Sequence, residues 1–196
     1  KIKNKNILTY GFQKEANYKI NNARYNADHS LFDLHYKNSN NSRTVIKNIN
    51  LKLIGEHNIL NAAAAVAVCI NLGVKIDIIK KALKNFSGVQ RRMTKIFTKN
   101  KNEFFDDYAH HPTEIFSIID GIKKAYKKRK IITVFEPHRY SRVMSLKHEF
   151  SKSFLQSDLV LICPLYPAGE KKNLNFNLFS FAKLISKNSN TQVVLV

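Results

Sequence analysis

Little in this chain belongs to the usual signposts of function. It has 2 cysteines, no tryptophan, 4 prolines and 6 glycines in 196 residues. Cys69 and Cys163 lie in the apolar runs Ala-Val-Cys-Ile and Leu-Ile-Cys-Pro. They read as buried thiols in a reducing compartment, which excludes a disulfide framework. The glycines are isolated from one another, and no glycine-rich loop ending in Gly-Lys-Ser or Gly-Lys-Thr occurs. These residues therefore hold no phosphate cradle of that type. No apolar run reaches membrane-spanning length, no signal peptide is visible, and no membrane partner is expected. Acids are also scarce, 14 against 33 basic residues, for a net charge of +19. Such a balance ordinarily signals a polyanionic partner. Here the lysines are spread along the chain among asparagines and isoleucines, so specific nucleic-acid binding is not expected. A positive field would still attract anionic substrates.

What is present supports a folded α/β protein. An apolar fraction of 44% is enough for a core, in one large domain or two small ones. Residues 1–54 read as short strands and turns, with strand patterns at 7–10, 18–20, 31–36 and 49–53. Asn21-Asn22 and residues 37–42 read as turns, the latter as an exposed hairpin loop. An alanine run predicts a helix over 58–72 stopped by Gly73, and a second helix follows over 77–85. From Phe104 the pattern becomes strand and helix in alternation, with helices over 113–127, 145–156 and 178–187. The intervening strands, 131–135, 159–163 and 193–196, are continuous apolar runs. That predicts a parallel sheet covered on both faces.

The densest chemistry is Phe105-Asp106-Asp107-Tyr108-Ala109-His110-His111-Pro112-Thr113-Glu114. Phe104 and Phe105 read as the end of a buried strand, and Pro112 suits the first turn of a helix. The polar cluster is thus expected at a strand C-terminus and a helix N-terminus, where open α/β sheets place ligands and anions. Two adjacent histidines project in different directions, so they do not make a metal site by themselves. Asp106 and Asp107 could instead cap the helix. Loops 136–143 and 164–170 also follow strand C-termini, on the same expected crevice edge. Asn58 and Asn61 are three apart and share a helix face, where their amides suit an adenine edge or a ribose. Equally, Asn58 could cap the helix. Arg91-Arg92 after Gly88 reads either as solvated surface or as a phosphate fork.

Five segments in order carry a family resemblance. They are Gly55-Glu56-His57-Asn58-Ile59-Leu60-Asn61-Ala62, Phe86-Ser87-Gly88-Val89-Gln90-Arg91-Arg92-Met93, the 106–114 run, Phe135-Glu136-Pro137-His138-Arg139-Tyr140-Ser141-Arg142 and Tyr166-Pro167-Ala168-Gly169-Glu170. Together they resemble the Mur ligase family, and within it the branch that adds alanine to UDP-N-acetylmuramate. The resemblance implies the end of a central ATP-binding α/β domain over 1–88. A Rossmann-like, mostly parallel α/β C-terminal domain would follow over 89–196. The family's sugar-nucleotide domain, phosphate loop and metal ligands have no counterpart here. By resemblance the chain is expected to be an internal fragment, inactive by itself, of an enzyme of the bacterial cytoplasm that makes peptidoglycan precursors for cell-wall growth, shape and division.

The same resemblance implies ATP and Mg2+ as cofactors, the metal held outside these residues, and UDP-N-acetylmuramate, L-alanine and ATP as partners. It places Asn58, Asn61, Arg92 and Asp107 on the nucleotide. It places Tyr108, His110, His138, Arg139 and Arg142 on the amino acid and muramoyl product. Arg139 and Arg142, three apart, could grip one carboxylate. Met93 stands where the family usually has phenylalanine, and Glu136 where it usually has glutamine. No side chain is singled out as a nucleophile or metal ligand. A sister ligase that recycles murein peptides onto UDP-N-acetylmuramate is the alternative. The loop 137–142 favours the alanine-adding branch. A third reading is a non-catalytic basic remnant that binds nucleic acid.

Overall fold

The computed structural model describes residues 7–38 and 40–196, and the chain divides into two units between Thr94 and Lys95. In the first, strands β1 (Tyr10–Gly11), β2 (Tyr18–Tyr25), β3 (Ser30–Lys37) and β4 (Arg43–Leu51) form one sheet in that order. β1 runs parallel to β2, and the other pairs are antiparallel. Period-two alternation sends Phe32, Leu34 and Tyr36 to one face, where α1 (Glu56–Asn71) covers them with Ile59, Ala62, Ala63, Val66 and Ala67. The small alanines let the helix lie close to the sheet. Ala65, on the other side of the same run, is exposed. The helix stops where expected, with Gly73 at φ 77 donating to the Ile70 carbonyl at 3.0 Å. α2 (Ile76–Asn85) follows and buries Ile79.

Two local expectations fail here, the first because of a buried acid. Asn21-Asn22 is not a turn: β2 runs through it on a bulge, with Asn22 at φ 51. β4 carries a matching irregularity at Asn48, also at φ 51. Between them sits Asp33, only 8% exposed, accepting from Asn22 Nδ2 at 2.8 Å and from the Asn48 amide at 2.7 Å. Burial alone would raise the Asp33 carboxyl, but these bonds outweigh it and hold the group below its ordinary value. Asparagine tolerates the left-handed region, so the strand bends instead of ending. The hairpin expected over 37–42 joins β3 to β4, with Asn38 Oδ1 accepting from the Ser42 amide at 2.9 Å. Ser39, within it, and residues 1–6 lie outside the described residues. The strand expected at 7–10 is reduced to Tyr10 and Gly11.

The second unit opens on a hairpin, β5 (Thr94–Lys99) and β6 (Asn102–Asp106), turned by Asn100 and Lys101 at φ 51 and 64. Then come α3 (Pro112–Ala125), β7 (Ile132–Phe135), α4 (Tyr140–Ser145), α5 (Lys147–Lys152), β8 (Leu159–Ile162), α6 (Leu178–Ser189) and β9 (Gln192–Leu195). β7, β8 and β9 form a parallel sheet in that order, with Ile132 opposite Leu159 and Leu159 opposite Gln192. Phe135, Val160 and Ile162 pack with Ile115 and Ile119 of α3, Phe150 of α5, and Phe181 and Ile185 of α6.

Three expectations change in this unit, and a fourth concerns both units. Phe104 is 42% exposed, stacked on Phe97 at 4.3 Å, so β6 is not a buried strand. The helix expected over 145–156 begins at Tyr140 and breaks at Leu146, where the Ser145 hydroxyl shares the Arg142 carbonyl with the Leu146 amide, at 3.2 and 3.0 Å. Among the described residues the parallel sheet is covered on one face only: Ile132 and Val134 are 62% and 65% exposed. A continuous apolar run reports strand propensity, not what covers each face. Cys69 and Cys163 are free thiols of intermediate burial, less enclosed than their apolar neighbours imply.

Candidate functional site

In the first unit the Gly55-Glu56-His57-Asn58 segment starts α1. Gly55 is its N-cap at φ 101, and a Cβ there would come within 2.8 Å of the His57 ring. Only glycine fits that turn without strain. Asn58 does not cap the helix: its Nδ2 donates to the Ile54 carbonyl at 2.8 Å, stapling the incoming chain. Its Oδ1 has no hydrogen bond among the described residues. Asn61 is exposed one turn on, so the two amides share a face as expected. Arg92 is exposed between Arg91 at φ 57 and Met93 at φ 52. Met93 is 8% exposed, so the residue at the family's phenylalanine position is anchored inside. Two non-glycine residues in the left-handed region, about 1–3 kcal/mol of strain each, mark a segment held by its surroundings.

In the second unit the three loops that follow β6, β7 and β8 do converge. His110 and His138 have ring centroids 6.2 Å apart, and His138 and Tyr166 5.3 Å. Tyr108 meets His110 edge-on at 5.1 Å. The parallel pairing of β7 with β8 resumes beyond the strand ends: His138 bridges Tyr166, the Tyr166 amide donates to Pro137 at 2.8 Å and the Arg139 amide to Tyr166 at 2.9 Å. Loop 136–139 is thereby laced to loop 164–166.

Each side chain here is set by identifiable bonds. Asp107 Oδ1 accepts from the Ala109 amide at 2.7 Å, tightening the loop, whereas α3 is capped by His111. Glu114 completes that capping box, accepting from the His110 and His111 amides at 3.1 and 3.2 Å. His110 Nδ1 lies 2.8 Å from the Tyr108 carbonyl. A carbonyl can only accept, so Nδ1 carries the proton and Nε2 the lone pair.

His138 has the opposite arrangement. Arg142 Nη1 lies 3.3 Å from His138 Nδ1, and guanidinium can only donate, so the ring proton sits on Nε2. Burial holds His138 below the ordinary histidine value, and the charges of Arg142, Arg139 and His110 add to this, while Glu136 opposes it. Arg139 is exposed, the N-cap of α4 at φ 69 with no side-chain cap. The cap comes instead from Glu170, which accepts from the Ser141 amide at 3.0 Å and from the Ser141 hydroxyl at 2.5 Å. The hydroxyl bond and then the amide bond hold the Glu170 carboxyl below its usual range.

The expected residues Tyr108, His110, His138 and Arg142 are thus brought together, with Arg139 at the start of the same short helix. Tyr166, Glu170 and Glu114 stand in the motifs of the sequence, which by itself assigns none of them a role. The spacing of His111 and Glu114 is the signal that could have found the capping box. Among the described residues no group of three or more histidine, cysteine, aspartate or glutamate side chains could hold a metal ion.

Residues 91–190 match the family of the Mur ligase glutamate ligase domain, and residues 1–69 the Mur ligase middle domain. The chain belongs to the Mur ligase family. It is 46% identical over all its 196 residues to UDP-N-acetylmuramate–L-alanine ligase of Pelagibacter ubique, covering 42% of that protein. It is 40% identical to the ligase of the same name from Brucella anthropi, over 87% of this chain and 36% of that one. The chain thus spans about two fifths of the length of the curated relatives it matches. Its fold is similar to the crystal structure of UDP-N-acetylmuramate–alanine ligase from Thermotoga maritima, with TM-score 0.75 and 26% identity, covering 96% of this chain and 39% of that one.

Proposed function

We propose that this chain forms the nucleotide- and amino-acid-handling part of an ATP-dependent ligase that joins L-alanine to UDP-N-acetylmuramate, in the bacterial cytoplasm. The observation that carries the reading is the cluster of Tyr108, His110, His138, Arg142 and Tyr166 at the C-terminal edge of a parallel sheet. It offers a guanidinium, one imidazole N–H and one imidazole lone pair, which complement the carboxylate and amine of an amino acid. Asn58, Asn61 and Arg92 of the first unit are assigned to ATP, the amides to the base or ribose and the guanidinium to a phosphate; for Asp107 the family resemblance alone supports a nucleotide contact.

In the reaction, the muramoyl carboxylate attacks the γ-phosphorus of ATP and ADP leaves, giving an acyl phosphate. The alanine amine attacks the acyl carbon, the C–O bond to phosphate breaks, and phosphate leaves. Clamping of charged oxygens is the main contribution such a site can make. Magnesium has no ligand cluster among the described residues, and no step here is assigned to it. Glu170 occupies the start of α4, so a substrate carboxylate in this site is left to Arg139 and Arg142. The test is phosphate release by the full-length gene product that depends on both UDP-N-acetylmuramate and L-alanine. Release that requires a tripeptide instead would favour the sister ligase.

A further inference from the structure

We infer that His110 is the proton acceptor for the incoming amine, with Glu114 as its positioning residue; this rests on the ligase reading above. At neutral pH an amino acid carries an ammonium group, which has no lone pair to attack a carbonyl. Some group must take a proton from it at the site. His110 is built for that. Its Nδ1–H is fixed on the Tyr108 carbonyl at 2.8 Å, and the Glu114 carboxylate stands 3.8 Å behind the same nitrogen. That leaves the Nε2 lone pair as the ring's outward face, and the side chain is 31% exposed, open to solvent for the proton's departure. A backbone acceptor and a carboxylate behind one ring nitrogen fix the tautomer and stabilise the imidazolium once it forms.

His138 cannot share the role. Its Nδ1 lone pair is taken by Arg142, and burial and the two arginines disfavour its charged form. The two rings therefore divide the amino acid between them: His138 Nε2–H and Arg142 face its oxygens, and His110 Nε2 faces its nitrogen. In the step, an N–H bond of the ammonium breaks and its proton passes to Nε2. The freed electron pair forms the C–N bond, the acyl C–O bond breaks, and phosphate leaves with the two electrons of that C–O bond. The second amine proton is lost to water as the adduct collapses, and His110 returns its own proton to solvent.

The groups that face His110 are Glu114 and Tyr108 from its own loop and helix, and His138 with Arg142 behind it from the loop after β7.

The experiment uses His110→Gln in the full-length gene product, with two nucleophiles. Hydroxylamine is unprotonated at neutral pH, needs no proton acceptor, and traps the acyl phosphate as a hydroxamate. The expected result is alanine ligation reduced about a hundredfold or more in kcat, with hydroxamate formation within about threefold of wild type. The acid limb of the pH profile for alanine should vanish in that variant. Glu114→Gln should keep the acid limb and lose part of kcat without raising the KM for alanine, as expected of a residue that positions the base. If His110→Gln changes only the KM for alanine, or keeps the acid limb, His110 is a contact residue and the inference falls. It falls equally if hydroxamate formation drops with ligation, since the defect then precedes the amine. If the wild-type protein forms neither product, the ligase reading itself fails.

Discussion

Replacing Arg142 by alanine should separate amino-acid binding from nucleotide binding. The guanidinium stands 3.3 Å from His138 and is half-buried on the cluster side of α4. A charge-assisted contact of this kind contributes about 1.5–3 kcal/mol. Each 1.4 kcal/mol is a factor of ten, so KM for alanine should rise about 10- to 150-fold, while KM for ATP stays within about twofold. A second readout comes from His138 itself. Arg142 is the largest charge contribution to its depressed pKa, after burial, so Arg142→Ala should move the His138 titration upward. NMR of the imidazole protons in wild type and variant measures this directly.

The stability consequence has a definite sign. His138 in the folded protein titrates below its unfolded value of 6.5, so the unfolded chain binds more protons as pH falls past that point. Its contribution is complete above pH 6.5 and is lost as pH drops through the folded value. Arg142→Ala should shrink that loss. An unchanged KM for alanine together with an unmoved His138 titration would remove Arg142 from the site and refute the tautomer argument with it.

Other outcomes follow from the same geometry. Glu170→Ala should raise KM for alanine several-fold and leave KM for ATP alone, because it frees the start of α4 and not the asparagine face; Glu170→Gln, which can still accept one bond, should recover part of the loss in steady-state kinetics. Asn61→Ala should weaken ATP about two- to tenfold, as expected for one neutral hydrogen bond, in a nucleotide titration; unaltered affinity would make Asn61 a surface helix residue. Phe150→Ala should destabilise the second unit by about 3–5 kcal/mol in urea denaturation, since the ring is fully buried against Phe135 and Phe181 at 5.7 and 6.2 Å.

Much of the candidate site's local geometry was legible because tight turns and helix starts demand particular residues. Gly55 stands where a Cβ would strike His57, and Pro112 opens α3 at a point where the backbone needs no donor. The parallel sheet was legible from apolar runs of strand length. What was not legible depends on bonds between distant residues. Nothing near Asn22 says that Asp33 will receive it, so a bulge reads as a turn. Nothing near Ser141 says that its helix will be capped from Glu170, 29 residues on. The hairpin of β5 and β6 was missed because its turn, Asn100-Lys101, lacks the glycine that usually marks one. The bare face of the sheet was invisible for a different reason, since a strand's own side chains do not encode their cover.

That bare face, with Ile132, Val134, Val194 and Val196 between 39% and 65% exposed, sets how this chain behaves in a tube. It belongs to a molecule with a net charge of +19, and repulsion between like charges is what keeps two such faces apart. Salt shortens the reach of that repulsion, from about 30 Å at 0.01 M to about 8 Å at 0.15 M, but leaves the apolar attraction intact. Handling should therefore run against habit: dilute buffer keeps the chain dispersed, and concentrated salt or a polyanionic contaminant brings it out of solution.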